Sequence, residues 1–236
     1  MLRLPTKITI TDCMAVSTSF DARSDVESRT YIYRLIVPKV SKKELEMQKC
    51  GQIVGPMVSS KAMFFRNQAW TISFPLDVDR MKIAAQFLTG VHNFAAFAAS
   101  GCQATSPIKR MERIEIVVEE PSSSTNGVCS DSDRISHHSF LGENDRMISV
   151  IVTADSFLYR MVRNIVGVLV RVGRGRMEPE MLKGILSRGK EGREMVKSMA
   201  PPQGLYLADV NYCPKRLAEV KLMDSSCVRS GGGSES

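Results

Sequence analysis

The sequence predicts an α+β fold, a mainly antiparallel sheet with helices packed on one face. Five short segments rich in β-branched and aromatic residues alternate apolar with polar side chains, and two longer segments place apolar residues at helical spacing. The composition, 43% hydrophobic and 24% charged over 236 residues, is that of a chain with a folded interior, which excludes collagen-like, coiled-coil and wholly disordered readings.

In chain order, Leu4 to Ile10 alternates, and Arg29 to Val37 sets Tyr31, Tyr33, Leu35 and Val37 on one face, so a strand is expected at each. The two are expected to pair, with a loop at Ser17 to Val26 between them. Residues 39 to 75 show poor periodicity and read as a long loop with a helical patch at Lys42 to Gln48. Asp77 or Asp79 caps a helix to Leu88, in which Met81, Ala84, Ala85 and Leu88 share a face and Gly90 supplies the stop. Strands follow at Arg110 to Val118 and Met147 to Ala154.

Between those strands, residues 121–145 hold seven serines in 25 positions and read as a disordered hairpin insert. Phe157 to Val172 is a strongly apolar helix with a polar stripe of Arg160, Asn164, Gly167, Arg171 and Arg174. A glycine inside a helix costs about 1 kcal/mol relative to alanine, so Gly167 implies a close contact, expected to be with the sheet. A helix from Glu178 to Ser187 and a strand from Leu205 to Tyr212 complete the ordered part. The division expected is one fold made of residues 1–120 and 146–222, interrupted by the 121–145 insert and followed by a disordered tail at 223–236.

The longest apolar run, Ile165 to Val172, is broken by Gly167 and Arg171 and falls short of the roughly 20 residues of a membrane span. The first residues carry no signal-peptide core, so an intracellular protein, mitochondrial or cytoplasmic, with no membrane partner is expected. Six scattered cysteines without a Cys-x-x-Cys pair and three histidines suggest neither a disulfide framework nor a metal cage. The net charge of +7 points to a polyanionic partner. Residues 156–193 alone hold nine Lys/Arg against three acids, which concentrates that charge around the apolar helix.

The run Phe157-Leu-Tyr-Arg-Met-Val-Arg-Asn-Ile-Val-Gly167, followed by Val172-Gly173, resembles the C-terminal motif of TruA-type tRNA pseudouridine synthases. It is joined in family order by Phe20-x-Ala22-Arg23 leading to Arg29-Thr30-Tyr31-Ile32-Tyr33, by Gly90-x-His92-Asn93-Phe94-x-x-Phe97, by Cys102-Gln103 and by Gly204-Leu205-Tyr206-Leu207. The likeness covers roughly Leu4 to Tyr212 and looks closest to the family's eukaryotic branch. It implies a pseudouridine synthase-like fold and an isomerase that converts uridine to pseudouridine in tRNA or similar structured RNA. No cofactor is implied, and a homodimer is.

The resemblance gives Tyr31 the role of a ring stacked on the flipped base and a helper in removing the C5 proton, and Arg163 that of the arginine paired with the catalytic aspartate. On their residue type alone, these are equally a packed strand tyrosine and a helix-rim cation. Arg160 and Arg171 are expected to contact the RNA backbone, Leu158 and Met161 to floor the base, and His92 and Phe94 to contact RNA from a loop. The last four also read as ordinary core or loop residues. Asn93 stands where family members have an aspartate.

The family's nucleophile lies in an Arg-Thr-Asp-x-Gly-Val-His segment several tens of residues before the Phe-x-Ala-Arg motif. Nineteen residues precede Phe20 and none contains it, while Asp25 imitates its opening but lacks the Gly-Val-His. The expectation is therefore of a synthase-like chain without the nucleophile segment, for which RNA binding without turnover is the alternative function.

Overall fold

The computed structural model describes residues 5, 8–40, 58–119 and 141–213. The helical patch at Lys42 to Gln48, the tail at 223–236 and all but the last five residues of the 121–145 insert lie outside the described residues. The chain divides into two compact units, Ser28–Val210 and a smaller one formed by Met1–Glu27 with Asn211–Ser236.

The larger unit is built on a six-stranded sheet in the order β2-β1-β5-β4-β3, with β6 also paired to β1. The strands are β1 (Val26–Pro38), β2 (Trp70–Thr71), β3 (Gly90–Asn93), β4 (Ile108–Glu119), β5 (Asp145–Ala154) and β6 (Leu205–Tyr212). The pairs β1–β5, β4–β5 and β3–β4 are antiparallel, and the two-residue β2 lies parallel to β1. The α+β class with a mainly antiparallel sheet is the observed one.

β1 and β5 pair from Arg29↔Ala154 to Pro38↔Asp145, which buries Tyr33, Leu35 and Val37 with Ile148, Val150 and Val152 on one face. β4 breaks the period-2 rule. Its register shifts between Met111, opposite Ala154, and Arg113, opposite Thr153, so two residues of β4 face one of β5. That extra residue moves odd-numbered Met111 onto the core side with even-numbered Ile114, Ile116 and Val118.

Among the described residues three α-helices accompany the sheet: α1 (Val78–Gln86), α2 (Met161–Gly173) and α3 (Met181–Ser187). Asp77 caps α1 by accepting the Arg80 amide at 3.1 Å, and Met81, Ala84, Ala85 and Leu88 are all in the core. In α2 every residue except Arg163 and Arg171 is buried, so packing rather than propensity holds this valine-rich segment helical. A smaller apolar cluster, Ile36, Ala62, Phe65, Ala69, Leu141 and Met147, gathers around the 3-10 helix Ser60–Phe65.

Several expectations are corrected. Residues 8–10 form no strand, and Ile8 and Ile10 are 55% and 66% exposed, because β5, β2 and β6 are the partners that β1 takes. α2 begins at Met161 rather than Phe157, since Arg160 adopts a left-handed φ of 58° that no helix can pass through. α3 begins at Met181 rather than Glu178. At the end of the expected insert, Leu141 is buried and Asp145, fully buried, already belongs to β5, where its carboxylate accepts the Ser59 amide and hydroxyl.

The described part of the smaller unit is a turn followed by an aromatic contact. Asp21 accepts the amides of Arg23 and Ser24, both at 2.8 Å, and its carboxyl is held below its ordinary range by those backbone bonds. The Asp25 carboxylate accepts the Asp21 amide at 2.9 Å, a local turn contact. The Phe20 ring meets Tyr212 edge-on with centroids 5.2 Å apart.

Candidate active site on strand β1 and helix α2

Two members of the polar stripe of α2, Gly167 and Arg171, share with Arg163 a physical explanation that the sequence does not show. Arg163, Gly167 and Arg171 recur every four residues, one above another on a helix face, and a strap of chain at 195–201 runs along them. The Arg163 Nε donates to Ala200 O at 2.7 Å, and the Ala200 amide returns a bond to Arg163 O at 3.1 Å. Arg171 donates to Met195 O at 2.6 Å. Between them, a Cβ on Gly167 would fall 1.8 Å from Ser198 O. The close contact implied by Gly167 therefore exists, but it is with this strap and not with the sheet.

The same strap reaches β1. The Tyr33 hydroxyl donates to Pro201 O at 2.6 Å, so Tyr33 and Arg163 grip neighbouring carbonyls of one turn. Burial pushes the Tyr33 phenol far above its ordinary range, and the nearby Arg163 charge opposes that rise only in part. Gly204 closes the arrangement, since a Cβ there would come within 2.8 Å of both the Tyr33 ring and Arg34 O.

Tyr31 lies two residues before Tyr33 on the same face of β1, half-buried, and its ring meets Phe157 edge-on at 5.0 Å between centroids. Strand tyrosine and helix motif thus come together at two points, Tyr31 with Phe157 and Tyr33 with Arg163. Among the described residues Arg163 has no carboxylate partner, and its Nε is the guanidinium nitrogen with a hydrogen bond.

The Phe157–Arg160 turn is fixed from below. The Tyr159 amide donates to Cys102 Sγ at 3.5 Å and the Ala99 amide to Tyr159 O at 2.9 Å, tying the Cys102-Gln103 motif to the helix motif. That amide, with the Ala104 amide, holds the Cys102 thiol below its ordinary range. Asn164 donates to Phe97 O at 2.6 Å. Asn93 accepts the Ala95 amide at 3.0 Å, a turn contact that either an asparagine or an aspartate oxygen can make.

The remaining expected site residues are dispersed. Leu158, Met161 and Phe94 are 4%, 0% and 0% exposed and pack in the core, where they support the turn. Arg171 sits eight residues along α2 from Arg163, about 12 Å by helical rise, and its bond to the strap fastens the fold. His92 bonds Thr89 O at 2.9 Å and lines a separate hollow with Asn93, Lys183 and Ser187. Sequence reasoning missed Tyr33 as a neighbour of Arg163, and it missed Arg193 and Lys197, which face Arg160 across a cavity. The signal for Arg193 was its place at the end of the basic stretch, and Lys197 lies four residues past it.

The model of one protein family, described as tRNA pseudouridine synthase, matches residues 84–213, more than half of the chain, including β3 to β6 and all of α2. The chain belongs to that family. Among individual proteins, it is 29% identical over 223 residues to tRNA pseudouridine synthase A of Agrobacterium fabrum, covering 93% of this chain and 66% of that protein. It is 31% identical over 205 residues to the enzyme of the same name from Allorhizobium ampelinum, covering 87% and 61%, and 29% identical over 209 residues to that of Limosilactobacillus fermentum, covering 89% and 64%. The chain therefore spans a little under two thirds of the length of these curated relatives. No described helix is long and apolar enough to cross a membrane.

Proposed function

We propose that this protein isomerises uridine to pseudouridine in tRNA or similarly structured RNA, with Tyr31 and Arg163 as its catalytic residues. The observation that supports this best is the meeting of the two motifs at the 200–201 turn, where Tyr33 and Arg163 bind adjacent carbonyls and Tyr31 follows on the same strand face. In this reading the target base leaves its stack, which costs a few kcal/mol, and lies against the Tyr31 ring. The bond from ribose C1′ to uracil N1 breaks, the base turns, and a bond from C1′ to C5 forms as the C5 proton leaves and N1 takes up a proton, with the Tyr31 hydroxyl as the group that relays it.

Arg163 is held by its Nε, which leaves the amino end of the guanidinium to orient an aspartate nucleophile bidentately. Arg160 belongs to the backbone-binding surface and His92 to its rim. The described chain forms one synthase fold on either side of the 121–145 segment, and the working unit is a homodimer.

A second reading, a non-catalytic RNA-binding module, is favoured by the lack of a carboxylate on Arg163 among the described residues. One experiment separates the two: incubate a uridine-containing tRNA transcript with the protein and count pseudouridine by mass spectrometry after chemical marking. Conversion by the native protein that is lost in Tyr31→Phe and in Arg163→Lys supports the enzyme reading. Salt-dependent RNA binding without conversion selects the second.

A further inference from the structure

A cavity of about 280 Å³ opens beside the first turn of α2, and three cations line it: Arg160, Arg193 and Lys197. Ser100, Asn164 and Met199 contribute to its wall, and among the described residues no acidic side chain does. Among the described residues none of the three cations takes part in an ion pair. Three like charges around one hollow repel each other, and an anion seated between them removes that cost.

Two details show how two of the cations are held. Arg193 is steadied from inside the cavity by its 3.3 Å bond to Ser100 Oγ. Arg160 is the one non-glycine residue with positive φ among the described residues, and its guanidinium lies 4.8 Å from the Tyr159 ring centroid, over its face. A left-handed arginine is sterically costly, and here it stands at the N-terminus of α2, where Arg160 lines the cavity.

We propose that this cavity seats a phosphate of the RNA backbone, held by Arg160, Arg193 and Lys197. The inference rests on the RNA-modifying reading above. Arg160 stands three residues before Arg163 in the chain, so in this reading the phosphate belongs to a nucleotide near the target uridine. The seat grips the strand beside the base that is turned out, and it carries no base specificity of its own.

The test measures the affinity of the full chain for an unmodified tRNA transcript over a series of salt concentrations. The variants are Arg193→Glu, Lys197→Glu, Lys197→Ala and, as a control, Lys61→Glu on the exposed side of the 3-10 helix at Ser60–Phe65. Loss of a phosphate contact makes the plot of log affinity against log salt shallower by about 0.7 to 0.9. Arg193→Glu and Lys197→Glu are each expected to show that change and at least a severalfold loss at low salt, with Lys61→Glu unaltered. Lys197 makes no hydrogen bond among the described residues, so Lys197→Ala reads out the contact without loss of a fold interaction.

If the native protein binds and the cavity variants bind equally well with the same slope, the seat is refuted and the family reading stands. If Lys61→Glu weakens binding as much as Lys197→Glu, the effect is one of general charge and the seat is again refuted. A native chain that binds no RNA overturns the seat and the proposed function together.

Discussion

Gly167→Ala sets two effects of opposite sign against each other. Alanine is the better helix former by about 1 kcal/mol, so on propensity alone the change stabilises α2. The added Cβ, however, lands 1.8 Å from Ser198 O and 2.7 Å from its carbonyl carbon, both backbone atoms that no rotamer change can move. To restore ordinary contact the strap retreats by roughly 1.5 Å. The Arg163 Nε bond to Ala200 O, 2.7 Å in the native chain, then passes out of hydrogen-bond reach, and the returning amide bond of 3.1 Å goes with it. Two lost bonds at about 1 kcal/mol each, and overpacking of about 1 to 3 kcal/mol, outweigh the propensity gain and leave a net loss of about 3 kcal/mol. For a chain of this size that lowers the thermal midpoint by about 6 to 12 °C. Thermal unfolding followed by far-ultraviolet circular dichroism measures it directly. A midpoint equal to or above that of the native protein would refute the close contact and the account of Arg163 built on it.

Other expected outcomes concern neighbouring parts of the same assembly. Tyr33→Phe removes the bond to Pro201 O and costs about 1 kcal/mol at neutral pH. Because burial raises the folded phenol above its ordinary value of 10.0, its contribution is fully present below pH 10 and declines as pH rises beyond it, where the unfolded tyrosine ionises first. Denaturant titrations between pH 8 and 11 should show a fall in native stability that is smaller in Tyr33→Phe. Tyr31→Phe keeps the edge-on contact with Phe157 and should shift the denaturation midpoint by less than about 0.5 kcal/mol while pseudouridine formation falls; a large stability loss would make Tyr31 a packing residue. Asp77→Ala removes the cap of α1 and should cost about 1 kcal/mol in the same measurement, with Asp77→Asn recovering most of it.

What could be read in the sequence followed from burial on one side. β1 and β5 announce themselves by alternation because one face of each packs on the core, and α1 by the spacing of Met81, Ala84, Ala85 and Leu88. β4 was visible as a strand, but its two-for-one register at Met111 and Arg113 was not, since a bulge erases the period that would reveal it. β2 and β3, of two and four residues, are shorter than any pattern can resolve. The left-handed Arg160 gave no warning because the residues that mark such a conformation are glycine and asparagine.

At the site, Tyr31 and Arg163 were legible through the motifs around them. Leu158, Met161 and Phe94 were legible as apolar, and their complete burial separates packing from recognition only once neighbours are known. Two arginines of α2 misled for a related reason. Arg163 and Arg171 are answered by carbonyls, and carbonyls are present at every residue, so nothing in the sequence marks those of the strap.

That strap has a further consequence for variation at these positions. Met195, Ser198, Ala200 and Pro201 meet α2 and β1 through main-chain oxygens, so the spacing of the carbonyls matters more than which side chains accompany them. Exchange of Ser198 or Met199 for another residue keeps every oxygen in place, whereas deletion of one residue between Met195 and Pro201 shifts the whole row against Arg171, Gly167, Arg163 and Tyr33 at once. The segment works as a ruler: apart from Lys197 at the cavity and Ala200 in the core, length is its information.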